Sequence, residues 1–289
     1  DARTVETITG TVEELVSYRE AFTDKTITGL SLYTAVTEDT AASAAELLAL
    51  ADPSTGFNPD VDLTSIETID GAASDIELLY ALQNDDASVS NLGDEAIDLT
   101  DAGSIAATVL TDVAALTSGL VTSASVTTIT GAASEVKAAL DSAQLTSLDA
   151  VNVTISDADL EVILASDLSA VGGATSGVVT VTNAIAISGT AAEVTAALVT
   201  ADTLVVVSDA TVVISDAGEV SASVLTAIAA ATTGDVTSAS VTSITGTAEE
   251  VQAALDSTNL VSLDAVDVTI SDDGAVDASV LVALAAATT

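Results

Sequence analysis

The chain has 289 residues, with 44 acidic side chains against four basic ones for a net charge of −40, no histidine or cysteine, and 49% hydrophobic residues. Such a field disfavours binding to nucleic acid or to an anionic membrane surface. The missing histidine and cysteine remove the commonest general base, the thiol nucleophile and the usual zinc ligands.

No run approaches the roughly 18 apolar residues of a membrane span, and no signal-peptide pattern opens the sequence. The apolar residues are too many and too regularly spaced for a solvated coil. With aromatic residues at only 2%, the expected core is Val, Ile, Leu and Ala.

At the N-terminus, Thr7-Ile8-Thr9-Gly10 predicts a short strand, and TVEELVSYREAF from Thr11 predicts a helix opened by a capping box, with Thr11 and Glu14 as its two members. A divergent unit follows through Ala41 to Ala51. The segment 51–60, ADPSTGFNPD, clusters Pro, Gly, Asn and Asp and predicts a loop or insertion. Tyr18, Phe22, Tyr33, Phe57 and Tyr80, both prolines, and Arg3, Arg19 and Lys25 all lie in the first 80 residues. Residues 1–65 therefore read as a divergent terminal cap, because end repeats of arrays are atypical. The alternative is a docking surface built from Tyr18, Arg19 and Tyr33.

From Ile66 to Thr289 the chain is a regular array. Residues 121–157, VTSASVTTITGAASEVKAALDSAQLTSLDAVNVTISD, recur almost unchanged at 236–272, with a looser copy at 179–216, so the long period is about 57 residues. Each long repeat holds two units of roughly 26 to 32 residues. The first type, as in SITGTAEEVQAALDS, is a β-rich run over Val241 to Gly246, then a helix behind a capping box at Thr247–Glu250, matched at Thr190–Glu193. The second type, as in TVVISDAGEVSASVLTAIAAATTG, carries Asp216 to Glu219 as its own version of the box. Extended returns such as 204–207 and 211–214, broken at Ser208-Asp209-Ala210, suggest a coil of strand, turn, strand, helix.

Together these features predict an α/β fold: a right-handed solenoid of strand(-strand)-helix repeats, with a parallel strand ladder and an Ala-rich helix layer. The sequence stops at a repeat boundary with no evident cap, which suggests either further repeats or stacking of another subunit.

Catalysis is not expected. Serine and threonine are abundant, yet only Lys25 and Lys137 are available as amine bases, and paired carboxylates have no substrate-stacking aromatics in the repeats. The carboxylates that recur are Asp101, Asp157, Asp216 and Asp272 with Asp273, at strand-to-helix junctions, and Asp149 with Asp264 at turns. Helix N-capping accounts for the junction set. Calcium held by carboxylate and backbone oxygens is the sharper alternative, although residues 271–279, SDDGAVDAS, match only the start of an EF-hand loop and lack its later glutamate.

The VTSITGTAEEVQAAL string at Val241 and the VVISDAGEVSASVL string at Val212 resemble the long Thr/Ser/Val/Asp-rich arrays of very large secreted, adhesin-like cell-surface proteins of aquatic bacteria, including cyanobacteria. That resemblance implies an extracellular structural or adhesive role and transfers no site. The expectation is a non-enzymatic stalk, surface-layer or filament segment that self-associates end to end. An adhesin recognising a glycan or protein is the alternative.

Overall fold

A computed structural model describes residues 5–27, 33–51, 60–85, 88–263 and 265–288. The expected loop at 51–60 falls mostly on residues 52–59, outside this set, as does Asp264. The protein is α/β, with several sheets whose strand pairings are all parallel and ten α-helices among the described residues. The helices are α1 (Val12–Thr23), α2 (Ala44–Ala51), α3 (Ala73–Asp85), α4 (Ala107–Leu116), α5 (Ala133–Leu140), α6 (Ala165–Ala174), α7 (Ala191–Leu198), α8 (Ala222–Ala231), α9 (Ala248–Leu255) and α10 (Ala278–Ala287). The chain divides into two compact units, residues 1–127 with 142–148, and residues 128–141 with 149–289.

In the first unit, one sheet runs Thr7–Gly10, Thr34–Thr37, Asp60–Asp62, Val89–Ser90, and a second runs Ala41–Ser43, Thr68–Gly71, Ala96–Leu99, Val121–Thr122, Leu145–Thr146. In the second unit, Val162–Leu164, Ala186–Gly189, Thr211–Ile214, Val236–Thr237 and Leu260–Val261 form one sheet, and Glu219–Ser221, Ser243–Gly246 and Asp267–Ile270 another. A third joins residues 128–131 to Asn152–Ile155, Val179–Val181 and Val205–Val206 in that order.

Strand partners lie one repeat apart: 24 residues separate Glu219 from its partner Ser243, and 28 separate Thr68 from Ala96. Helix starts instead alternate, 26 residues from Ala165 to Ala191 and 31 from Ala191 to Ala222. A ladder whose step is shorter than the mean helix step slides along the repeat. Glu219–Ser221, which abuts α8, thus pairs with Ser243–Gly246, and that strand pairs with Asp267–Ile270, which lies farther ahead of its helix.

The expected strand, turn, strand, helix coil is seen in first-type repeats, as at Val236–Thr237, Ser243–Gly246 and α9, and is corrected in second-type ones. Second-type repeats add a strand directly before the helix, as at Val162–Leu164 and Glu219–Ser221. The β-run expected from Val241 begins at Ser243, and the Val241 N–H turns back to the Ser238 carbonyl at 3.0 Å.

The core follows from helix periodicity. Helix α8 buries Ala222, Leu225, Ile228 and Ala229, and α6 buries Ala165, Leu168, Val171 and Gly172, the i, i+3, i+6, i+7 stripe of one helical face. Each strand points alternate aliphatic residues at that stripe, as Val212 and Ile214 do in the Thr211–Ile214 strand. Burying a Val, Leu or Ile side chain contributes about 1.5–3 kcal/mol. The buried aliphatic pairs of the second-type helices, Leu110 with Val113, Leu168 with Val171 and Leu225 with Ile228, and of strands such as Val153 with Ile155 and Val212 with Ile214, are therefore a main stabilising term in these repeats.

Candidate functional site: the junctions between repeats

A first-type helix opens with four N–H groups that its own backbone leaves unpaired. The capping box accounts for one helical N–H and for that of the cap residue. In α9, Thr247 Oγ1 accepts from Glu250 N–H at 3.2 Å, and Glu250 Oε2 accepts from Thr247 N–H at 2.8 Å. The pairs Thr190–Glu193 and Thr11–Glu14 repeat this arrangement. Hydrogen bonds from Thr190 hold the Glu193 carboxyl below the usual carboxylate range.

The N–H of the first helical residue remains, and it is taken by an aspartate from the following repeat. Ala73 N–H donates to Asp101 Oδ2 at 2.7 Å, Ala133 to Asp157 at 2.7 Å, Ala191 to Asp216 at 2.6 Å, and Ala248 to Asp272 at 2.7 Å. Asp39, which sequence reading did not single out, does the same for Val12 at 2.7 Å.

The junction aspartates are thus helix caps, but of the helix 24 to 28 positions earlier in the chain. This corrects the expectation that Asp216 and Glu219 form a capping box. Glu219 lies in a strand, and α8 starts behind Ser221. A carboxylate at a helix N-terminus gains both the hydrogen bond and the favourable end of the dipole. Here that gain links two repeats. Asp273 is exposed and stands beside this scheme.

A second junction device escaped the sequence reading. Each of three second-type helices ends in Thr-Ser/Thr-Gly: Thr117-Ser118-Gly119, Thr175-Ser176-Gly177 and Thr232-Thr233-Gly234. The threonine hydroxyl donates to a main-chain carbonyl one repeat back, Thr117 to Glu95 at 2.7 Å, Thr175 to Val151 at 2.6 Å and Thr232 to Ala210 at 2.6 Å. The same oxygen accepts the glycine N–H at 2.9 to 3.1 Å. The middle residue gives both its N–H and its hydroxyl to one carbonyl, that of Gly93, Asp149 or Ser208. Glycine ends the motif because a Cβ there would overlap the carbonyl that accepts from the threonine hydroxyl, that of Glu95, Val151 or Ala210. The visible signal was the recurrence of the tripeptide at the helix ends.

At the N-terminal end, Arg19 and Tyr33 are buried and Tyr18 is half-buried. The two rings meet edge to face at 5.7 Å with an 82° interplanar angle, a favoured aromatic geometry. Burial pushes both phenols above their ordinary pKa. The three residues do come together, and they do so as packing rather than as an open face. Tyr80, also buried, donates to the buried Glu95 carboxylate at 2.6 Å, which also accepts the Gly93 N–H at 2.9 Å.

Among the described residues, no group of three or more His, Cys, Asp or Glu side chains is placed to hold a metal ion. No helix among them is long and apolar enough to cross a membrane. A polar hollow of about 550 Å³ beside Thr175-Ser176-Gly177 has Asp149 and Asp202 as its ionisable lining residues. The junction chemistry is therefore that of caps and clamps: carboxylates and hydroxyls already committed to backbone groups. No family model, curated protein or solved structure matches the chain.

Asp157→Ala is expected to cost about 1–2 kcal/mol, the usual loss for a helix cap, read as a lower urea midpoint. Asp157→Asn keeps an acceptor and should lose less. Hydrogen exchange should accelerate at the Ala133 amide, far along the sequence from the substitution. Equal protection of Ala133 in wild type and Asp157→Ala would refute the cap.

Proposed function

We propose that each unit is a stretch of right-handed α/β solenoid and that the protein is a non-enzymatic, extracellular structural segment of a stalk, surface layer or filament. The observation that carries this reading is the use made of the recurrent polar side chains. Asp101, Asp157, Asp216 and Asp272, with the three Thr-Ser/Thr-Gly clamps, bond one repeat to the next instead of converging on a cleft. Repeats that contact only their neighbours, laced by parallel strand pairing and by such caps, suit a load-bearing or spacing role. The net charge of −40 keeps the surface soluble and resists non-specific association with other anions.

In this reading the junction aspartates act through helix N-termini, and calcium serves only to screen the acidic surface. Thermal unfolding in calcium and in chelator at matched ionic strength should then give the same midpoint. A rise in calcium that magnesium does not reproduce would make these carboxylates ligands. Small-angle scattering of the purified chain tests the architecture: the proposal expects an elongated particle, and a compact globule would overturn it.

A further inference from the structure

The last carbonyls of an α-helix find no donor within the helix itself. Behind α4 and α8 a side-chain amide from the following repeat supplies one. Asn259 Nδ2 donates to the carbonyls of Ala229 at 2.9 Å, Thr232 at 3.0 Å and Gly234 at 3.3 Å. Gln144 Nε2 donates to the Thr117 carbonyl at 2.7 Å. Both amides stand immediately before a paired strand residue, Gln144 before Leu145, which lies opposite Val121, and Asn259 before Leu260, which lies opposite Val236.

The repeat behind α6 departs from this pattern. Val205 lies opposite Val179 and so takes the place of Leu145 and Leu260, which puts Leu204 where the amide stands in the sister repeats. Six residues separate Leu198 from Val205, against four between Leu255 and Leu260, and the longer loop holds a 3-10 turn at Ala201–Thr203. The α6 residues equivalent to Ala229, Thr232 and Gly234 are Gly172, Thr175 and Gly177. Among the described residues no side chain donates to their carbonyls, and all three line the polar hollow of about 550 Å³.

The charge changes at the same place. The carbonyl that receives the middle residue of the clamp belongs to Gly93 behind α4 and to Ser208 behind α8, but to Asp149 behind α6. Asp202, in the 3-10 turn, is the second carboxylate of the hollow. Both are exposed, and unlike the junction aspartates neither carboxylate is engaged by a protein group among the described residues. The negative end of the α6 dipole adds to their field. Leu204, 41% exposed, gives one wall an apolar strip.

We propose that this hollow binds a primary ammonium group carried on an alkyl stem. Its three N–H donors take the Gly172, Thr175 and Gly177 carbonyls, as the Asn259 amide takes their equivalents behind α8. Asp149 and Asp202 balance its charge, and the stem lies against Leu204. The sister repeats favour nitrogen over a metal ion, because carbonyls spread 2.9 to 3.3 Å around Asn259 Nδ2 are at hydrogen-bonding reach. Calcium would need oxygens at roughly 2.3–2.6 Å. The site is separate from the structural role and holds whether or not the protein is a stalk.

The probes are butylammonium and butyltrimethylammonium, which share charge and stem, while only the first has N–H donors. In calorimetric titration of the purified chain at matched ionic strength, butylammonium should bind about tenfold more tightly or better, the factor expected for one hydrogen bond to a charged group. Its amide chemical-shift changes should centre on residues 172–177 and 201–204. Leu204→Asn sets an amide where the sister repeats have one, and Asp149→Asn/Asp202→Asn removes the charge. Each should weaken binding about tenfold or more with an unchanged circular dichroism spectrum. Glu249→Gln/Asp273→Asn removes equal charge at two other exposed positions and should leave binding intact. Putrescine and Nα-acetyl-lysine amide carry the same group on a free polyamine and on a protein side chain. Displacement of butylammonium by either supports the site, and the tighter competitor identifies the source. Failure of both would overturn the proposal. Equal affinity for the two butyl cations, or equal losses from the two double variants, would mean attraction by net charge alone and would overturn it as well.

Discussion

Gly177→Ala is expected to destabilise the protein by about 3 kcal/mol or more, at the upper end of overpacking costs, with a correspondingly lower urea midpoint. The added Cβ would fall inside the Val151 carbonyl oxygen and close to the Asn152 nitrogen. Both are main-chain atoms pinned in position: Val151 O accepts from Thr175 Oγ1 at 2.6 Å, and residue 152 begins a paired strand. A flexible side chain could rotate away, whereas this backbone can move only by parting two repeats. Gly234→Ala, facing the Ala210 carbonyl, should behave alike. Gly218→Ala is the control. An added Cβ there meets nothing within 4 Å, so that substitution should be neutral or stabilise by up to about 1 kcal/mol through the unfolded chain. Equal stability of the 177 and 218 variants would refute the close approach.

Tyr80→Phe is expected to cost about 1.5–3 kcal/mol, the range for hydrogen bonds to charged groups. The hydroxyl donates at 2.6 Å to a carboxylate on Glu95 that is itself 1% exposed, and removing it leaves a buried charge with one donor fewer. The same contact makes a pH prediction. Burial first, then the hydrogen bond to Glu95 and its charge, push the Tyr80 phenol above its ordinary value near 10, and burial does the same for Tyr33. A raised folded-state pKa means that the folded protein holds protons which the unfolded chain releases, so stability is fully present below about pH 10 and declines above it. The stability gap between wild type and Tyr80→Phe should therefore narrow as pH rises from 9 to 11. A constant gap across that range would refute the assignment.

The repeat units and the starts and capping boxes of α1, α7 and α9 were legible because each is a local matter: a hydroxyl, a glutamate three residues on, and a 3.6-residue apolar stripe. The junction aspartates were legible as recurring positions and as caps. Their partners were not, because a cap is ordinarily sought within four residues, while strand register brings each aspartate to a helix in the preceding repeat. Asp39 was missed for a related reason. Its surroundings, residues 34–43, share almost no letters with the later repeats, yet its backbone pairing puts it in the equivalent place. The Thr-Ser/Thr-Gly motif read as an ordinary helix ending, and only the approach of the preceding turn explains why all three residues recur together. Composition alone left Tyr18, Arg19 and Tyr33 open to a cap or a docking surface, because the burial of Arg19 and Tyr33 comes from packing between segments distant in sequence.

Capping across repeats also sets the increment in which this protein can change length. A first-type helix is complete only when a second-type repeat follows it with an aspartate, and a second-type helix sits down only when a first-type repeat follows with a glycine, as Ala44, Ala165 and Ala222 sit against Gly71, Gly189 and Gly246. Excising one repeat from the second unit would juxtapose two of the same type, setting an aspartate against an alanine methyl or leaving a helical N–H with no carboxylate. Excising an adjacent pair of about 57 residues restores every contact. Growth, shortening and recombination of such a gene are therefore expected to proceed by twos, and variants with odd numbers of repeats should be filtered out by their own instability.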